Sequence, residues 1–535
     1  MLFSLFTSAA LYALASAQGS ATNSSQTVVP SGVPIQGDYT GALRPQIHFS
    51  PPKAFMNDPN GAFRDADGLW HLYYQYNPTQ IVAGNQHWGH ATSEDLYRWE
   101  NQPIALFPDK QGDGIFSGSI VIDSNNTSGF FPNQTNGVVA IYTLNTPLEQ
   151  TQEIAYSYDG GYSFTKYANN PVISINSTQF RDPKVIWYED HWVMLISYSQ
   201  EFVMGIFTSP DLIDWTHASN ITDLGLLGLQ YECPNMVKIP NDGSDEDTYV
   251  LLISINPGAP QGGSFTEYFP GTFNGTHFEP FDHATRIFDF GKDNYAGQFF
   301  YEDGSPDTDP VFIGWASNWQ YTQQVPTGPL EGWRSSMTIP RTARLNSNEE
   351  RIGYNLVTAP YENLEPVKGD IIGEHGALVN ESLTVDYSTV HSGAVYFAVN
   401  VTNIPNVTLS KGTLNFTFTA SSTNESVAGG FFFGGDTPFW FNRGKVTGFD
   451  NPFFTDKFST NNLLPYQVNS FMLEVVIDRT IIEIFLDGGD RSAVATFFPE
   501  GKIDTLTIGT NDMNNDVGVH AEVWSLESGW APTGY

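Results

Sequence analysis

From about residue 44 to 345 the chain repeats one hydrophobic and polar pattern five times: a short polar opening, a strand-like run, a turn, then a second run of bulky apolar residues. The openings are NDPNGAF from Asn57, FSGSIVI from Phe116, RDPKVIW from Arg181, ECPNMVK from Glu232 and NYAGQFF from Asn294. The second runs, LWHLYYQY, GVVAIYTL, HWVMLISY, TYVLLISI and PVFIGWAS, are rich in β-branched and aromatic residues and predict buried strands. After three of them a Ser-rich, Asp-containing element begins, at Ser93, Ser157 and Ser209, and reads as a hairpin turn closed by an aromatic residue. Repeats of roughly 50 to 65 residues, each worth about four short strands and without helical periodicity, predict propeller blades. The first strand of each blade lines the axis of such a ring. The five polar openings therefore converge on one funnel.

Beyond residue 371 the pattern changes to alternation of apolar and polar positions, as in TLNFTFTA and MLEVVIDRTIIEIFLD, which predicts two packed antiparallel sheets. The expected fold is all-β: a five-bladed β-propeller over 44–345 followed by a C-terminal β-sandwich over 371–535. Charges and prolines in SNEERIGYNLVTAPYENLEP mark residues 346–370 as the linker. The first residues, MLFSLFTSAALYALASA, form a short apolar run ending in small residues. They read as a signal peptide over 1–17, cut near Gln18. Residues 18–43, rich in Ser, Thr, Gly and Pro, read as a flexible leader, with the folded part beginning near Arg44. The Gly- and Phe-rich run Gly429–Gly435 reads as a strand buried by folding or by a partner, core being the first expectation.

Composition narrows the partners. A formal charge of −35 with 23 Lys plus Arg argues against nucleic acid and anionic membrane, which need basic patches. Aromatic residues make up 14% of the chain and supply stacking faces for a neutral ligand such as a sugar. No later apolar run is long enough to span a membrane. Twelve Asn-x-Ser/Thr sequons, at Asn23, Asn125, Asn126, Asn133, Asn176, Asn220, Asn274, Asn380, Asn400, Asn406, Asn415 and Asn424, agree with secretion and N-glycosylation. Cys233 is the single cysteine, so no intrachain disulfide forms and a free buried thiol is expected.

Glycoside hydrolysis needs two carboxylates, and the axial openings offer Asp58, Asp182 and Glu232. There is no GxSxG elbow, HExxH, cysteine–histidine signal or paired CxxC. Asp58 lies in MNDPNG, where proline and glycine fix a turn that aims its carboxylate at the axis; the plain alternative is an Asx turn. In RDP, Arg181 adjoins Asp182 and is expected to keep it ionised, as a sugar-hydroxyl acceptor or as half of a structural ion pair. That leaves Glu232 as general acid, its carboxyl raised by burial and by the other two negative charges, unless it is an edge-strand surface residue. Gln75, Trp88, Phe116, Ser117 and Trp319 supply hydrogen-bonding groups and stacking faces, although core packing is the commoner fate of any single aromatic.

Taken in order, MNDPNG, YQYNP, WGHA, FSGS, RDP and ECP resemble glycoside hydrolase family 32, which holds invertases, inulinases and levanases. The resemblance runs from about Arg44 to Tyr535. It implies a propeller plus sandwich, retaining chemistry and no metal or organic cofactor. It assigns the nucleophile to Asp58, transition-state stabilisation to Asp182 and acid/base catalysis to Glu232, with Asn57, Gln75, Trp88, Ser117, Arg181 and Trp319 as fructose contacts. Fructose as the sugar, a sucrose or fructo-oligosaccharide substrate, some fructosyl transfer and a dimer through the sandwich are likewise implied by the resemblance. Two departures stand out. Phe55 replaces a common Trp and bears on the pocket rim; Thr480 replaces a common Ser and touches only the sandwich. An inverting five-bladed glycosidase and a non-catalytic carbohydrate-binding protein are the rival readings.

Overall fold

The structure is a computed structural model that describes residues 36–530, except 226–227, 243–247, 304–308, 349–352, 406–409, 435–436 and 462–468. The signal segment, residues 18–35 of the leader, the sequons at Asn23 and Asn406, and Gly435 lie outside the described residues.

Five sheets form the blades of a propeller. Their inner strands are Ala54–Arg64, Gly114–Ile122, Phe180–Tyr188, Tyr231–Ile239 and Tyr295–Phe299, each opening with one of the polar motifs. We number the blades I to V in that order. Each inner strand touches the next and that of blade V touches that of blade I, so the ring closes. The second strands, such as Trp70–Asn77 and Thr248–Ile255, are buried along their whole length, because each blade is covered on both faces by its neighbours. This burial explains why they read as continuous apolar runs. The Ser-rich turns after Ser93 and Ser209 are built alike. The Ser hydroxyl and the Asp carboxylate two residues on accept backbone N–H groups, and Leu96 and Leu212 sit in the left-handed region.

Blade I is closed by a late segment. Trp333–Arg334, in the long excursion between the second and third strands of blade V, pairs in parallel with Ala54 and Phe55. The same excursion carries Trp319 and the short helix Thr327–Glu331.

Two six-stranded antiparallel sheets, running from Lys368–His375 to Gly518–Leu526, enclose the Val- and Phe-rich core of the sandwich. In Thr413–Thr419 the expected alternation is plain, with Leu414, Phe416 and Phe418 inward. Phe431 and Phe433 belong to this core, and Phe432 between them faces out.

Three expectations change. Most of the stretch read as a linker is paired structure. Gly353–Pro360 is the outer strand of blade V, hydrogen-bonded to Arg341–Asn348, and Lys368 already lies in the sandwich. The outer strand's polar residues Asn355 and Thr358 are buried, and Asn355 donates to the Asp490 carbonyl of the sandwich at 3.0 Å and accepts Arg491 Nη1 at 2.6 Å. The end of the leader is packed too: Tyr39 is buried and stacks on Trp530 with ring centroids 3.5 Å apart. Thr480 reaches beyond the sandwich, donating to the Leu43 carbonyl at 3.0 Å.

The two units meet over a charged, fully buried seam. Asp478 of the sandwich accepts the backbone N–H groups of Gln46 and Ile47 at 2.8 Å and His48 Nδ1 at 2.9 Å. Glu483 accepts His48 Nε2 at 3.2 Å and Arg341 Nη2 at 2.6 Å.

Candidate active site

All five inner strands carry the same irregularity at the same height. Between Met56 and Pro59, Ile115 and Gly118, Arg181 and Lys184, Glu232 and Asn235, and Tyr295 and Gln298, three steps on the inner strand face two on its partner. One extra residue per strand is a β-bulge, which breaks the alternation of side chains and re-aims them. Asp182, Cys233 and Ala296 within the bulges adopt left-handed backbone conformations, which cost an L-residue about 1–2 kcal/mol each. Proline after Asp58, Asp182 and Cys233 removes N–H groups that the interrupted ladder would leave unpaired.

The bulges bring Asp58, Asp182 and Glu232 together. Asp58, 8% exposed, accepts Asn57 Nδ2 at 3.0 Å on Oδ1 and Ser117 Oγ at 2.8 Å on Oδ2. Asp182 Oδ2 accepts the Cys233 backbone N–H at 2.9 Å. The Cys233 thiol bridges the two, 3.5 Å from Asp58 Oδ2 and 3.6 Å from Asp182 Oδ2. Glu232 Oε1 accepts Arg181 Nη2 at 2.8 Å and Nε at 3.2 Å, and its Oε2 accepts the Tyr295 hydroxyl at 2.5 Å. Side-chain oxygens of Gln150, Gln179 and Gln230 hold the rest of the Arg181 fork.

Electrostatics follow from this packing. Burial raises the Asp58 carboxyl above its ordinary value, opposed by the Ser117 and Asn57 donors and reinforced by the Glu232 charge. Burial pushes Asp182 up to about 7; the Arg181 charge works against it, and the charges of Glu232 and Asp58 work with it. Burial and the three carboxylates push the Cys233 thiol well up, so it is a neutral donor in the funnel and no nucleophile.

The expected Arg181–Asp182 pair is corrected. The guanidinium makes its ion pair with Glu232, because neighbours along a strand point to opposite sides and the bulge turns Asp182 to the axis. Two residues expected as sugar contacts are buried beside the blade II bulge. Trp88 exposes no ring face; its indole N–H donates to the Phe116 carbonyl at 3.0 Å. Gln75 is buried and donates to the Ile115 carbonyl at 3.0 Å. Both therefore pin the blade II bulge that carries Phe116 and Ser117. Phe116 and Trp319 are half-buried, and Trp319 leans on Trp315 and on Phe55, with centroids 4.8 and 6.3 Å away. Tyr295 and Cys233 both stand inside quoted openings, but sequence assigns neither to the site, because a lone cysteine and a tyrosine heading an apolar strand both read as core.

Among the described residues, Glu374, His520 and Glu522 of the sandwich form the one cluster whose ligand atoms are close enough to hold a metal ion. It lies outside the funnel. No helix among the described residues is long and apolar enough to cross a membrane.

Comparison with known proteins supplies the family. The model described as "Glycosyl hydrolases family 32 N-terminal domain" matches residues 48–360, and "Glycosyl hydrolases family 32 C terminal" matches 376–525. This chain belongs to glycosyl hydrolase family 32. The family 32 matches cover all five blades and most of the sandwich. The chain is 43% identical over 490 residues to invertase 2 of Saccharomyces cerevisiae, covering 85% of this chain and 89% of that one. It is 42% identical over 482 residues to the extracellular exo-inulinase of Meyerozyma guilliermondii, covering 86% and 90%. The fructofuranosidase of Schwanniomyces occidentalis, solved with fructose, superposes with a TM-score of 0.83 at 38% identity, over 92% of this chain and 100% of that one.

Proposed function

We propose that this family 32 chain is a β-fructofuranosidase that releases the terminal non-reducing fructosyl unit of sucrose and short fructans with retention. The observation that carries the reading is the convergence of Asp58 and Glu232 in one funnel, each carboxylate held by its own donors. Asp58 attacks the fructosyl C2 as the C2–O bond breaks, and Glu232 delivers its proton to the leaving oxygen. Glu232 then takes a proton from water, whose oxygen displaces Asp58 at C2. Asp182 accepts hydrogen bonds from fructosyl hydroxyls, Asn57 and Ser117 orient the nucleophile, Arg181 orients the acid/base, and Trp319 and Phe116 flank the sugar. Gln75 and Trp88 act one step removed, through the blade II bulge. A second sugar in place of water gives fructosyl transfer. The names of the invertase and exo-inulinase relatives, and the fructose in the related structure, support this substrate class.

The test is Glu232→Gln on sucrose, with NMR of the first-formed fructose for the wild type. The variant is expected to lose about two to four orders of magnitude in kcat, and the wild type to release the β-anomer. A fully active variant, or inverted product, would overturn the reading.

We also infer a secreted glycoprotein. Exposed sequon positions, among them Asn125, Asn133, Asn176, Asn274 and Asn380, support it, as does the printed name of the extracellular relative. Exposed Phe432 and Trp440 on adjacent strands of one sandwich sheet support a dimer through that face, which light scattering tests.

A further inference from the structure

Just past the carboxylates, two side chains cross the propeller axis. On each inner strand the first residue to rejoin the ladder after the bulge is Pro59, Gly118, Lys184, Asn235 or Gln298, so these five occupy equivalent positions. Gln298 of blade V donates to the Gly118 carbonyl of blade II at 2.8 Å, reaching past blade I. Gly118 has no room for a side chain, since a Cβ there would meet the Ile141 carbonyl. Lys184 of blade III donates through Nζ to the Phe299 carbonyl of blade V at 2.9 Å, reaching past blade IV.

Lys184 is 4% exposed, and among the described residues no carboxylate lies within ion-pair distance of its ammonium. Burial alone pushes its pKa down to about 7. An ammonium with one carbonyl partner is costly to bury, whereas methionine would fill the same space without that cost. Packing stability therefore does not account for a lysine here. What Lys184 does is join two particular blades. Blade III carries Arg181 and blade V carries Tyr295, the groups on the two oxygens of Glu232.

We propose that Lys184 is a positioning residue: by tying blade III to blade V across the axis, it keeps Arg181 and Tyr295 closed on the acid/base carboxylate. The inference rests on the reading of Glu232 as acid/base. It makes Lys184 matter most where the leaving group needs a proton.

The full-length protein carrying Lys184→Met is compared with wild type on sucrose and on p-nitrophenyl β-D-fructofuranoside, whose leaving group departs without protonation. Displacing a catalytic group by about an ångström costs roughly tenfold to a hundredfold, and that loss is expected in kcat/KM on sucrose, carried by kcat with KM nearly unchanged. In kcat/KM, which reports formation of the fructosyl-enzyme and not the later step in which Glu232 acts as base, the aryl substrate should lose far less, and the melting temperature should hold or rise. Wild-type kcat/KM on sucrose, or equal losses of kcat/KM on both substrates, would overturn the proposal. If the methionine variant does not fold, Lys184→Leu, which also lacks a donor, gives the same two-substrate comparison. Glu232→Gln serves as the control. If its kcat/KM falls equally on both substrates, the acid/base reading fails; if it behaves as an acid/base variant while Lys184→Met behaves as wild type, the Lys184 inference fails alone.

Discussion

The funnel and the propeller–sandwich seam are both built from buried carboxylates, and they treat them in opposite ways. In the seam, burial alone would raise Asp478, but hydrogen bonds and the charge from His48, with backbone N–H groups, leave it below its ordinary value. Glu483 is likewise lowered against burial, by Arg341 and His48. Those same carboxylates outweigh the burial of His48 and lift it to about 9, so the imidazole is charged at neutral pH. In the funnel the single guanidinium is committed to Glu232, and Asp58 and Asp182 stay raised. The seam satisfies its charges and gains cohesion. The funnel leaves them short of partners, which a sugar's hydroxyls and a reacting carbon can supply.

The largest expected contrast is kinetic. Asp58→Asn should lower kcat on sucrose by about a thousandfold or more, and its melting temperature should not fall. A variant that melts early would mean that Asp58 is structural.

Asp478→Ala should do the reverse. It strands a buried imidazolium and three backbone N–H groups, at a cost of about 3–5 kcal/mol in denaturant unfolding. The kcat of the molecules that remain folded should stay close to wild type. The pH dependence carries its own sign. The raised pKa of His48 contributes stability that is complete below its ordinary value of 6.5 and lost as pH rises through about 9. Replacing His48 by Gln should remove that alkaline loss from the melting curve.

Asp182 tests the opposite sign in the funnel. A carboxyl raised from 3.8 to about 7 weakens the folded state progressively as pH climbs between those values. Asp182→Asn should therefore gain roughly 1 kcal/mol or more of stability above pH 7 and nothing below pH 3.8, while losing activity. A flat stability difference across that range would break the comparison.

The smallest effect sharpens it. Ser117→Ala removes a donor that holds Asp58 down, so the acid limb of kcat/KM should move up by about half a pH unit to one unit. A shift to lower pH would contradict the nucleophile assignment.

Much of this was legible in the chain. The five openings stand out because each sets polar residues at the head of a buried apolar strand, and that contrast placed Asp58, Asp182 and Glu232 on one axis. The partner of Arg181 was not legible, because adjacency in sequence is opposition in space on a strand, and the bulge that turns Asp182 inward leaves no compositional mark. Trp88 and Gln75 show a related limit. Sequence groups them with the site, but does not show that their side chains are buried against the carbonyls of Phe116 and Ile115. Gly353–Pro360 looked like a connection because Asn355 and Thr358 read as exposed positions, whereas both are buried, Asn355 against Asp490 and Arg491 of the sandwich. Lys184 was invisible for the simplest reason: a lysine reads as surface, and only the closed ring shows that it spans the middle.

The contact between Asp478 and residues 46–48 also gives the molecule a schedule. A ribosome delivers the first-blade entrance long before the strand that fastens it, some 430 positions later in the chain. The segment Gln46–His48 must wait without Asp478 while five blades and half a sandwich are synthesised, whereas the MNDPNG turn finds its partners within the propeller. Stopping translation after blade V would leave that early segment unfastened. The seam thus closes near the end of synthesis, when a late strand of the sandwich returns to the first residues of the fold.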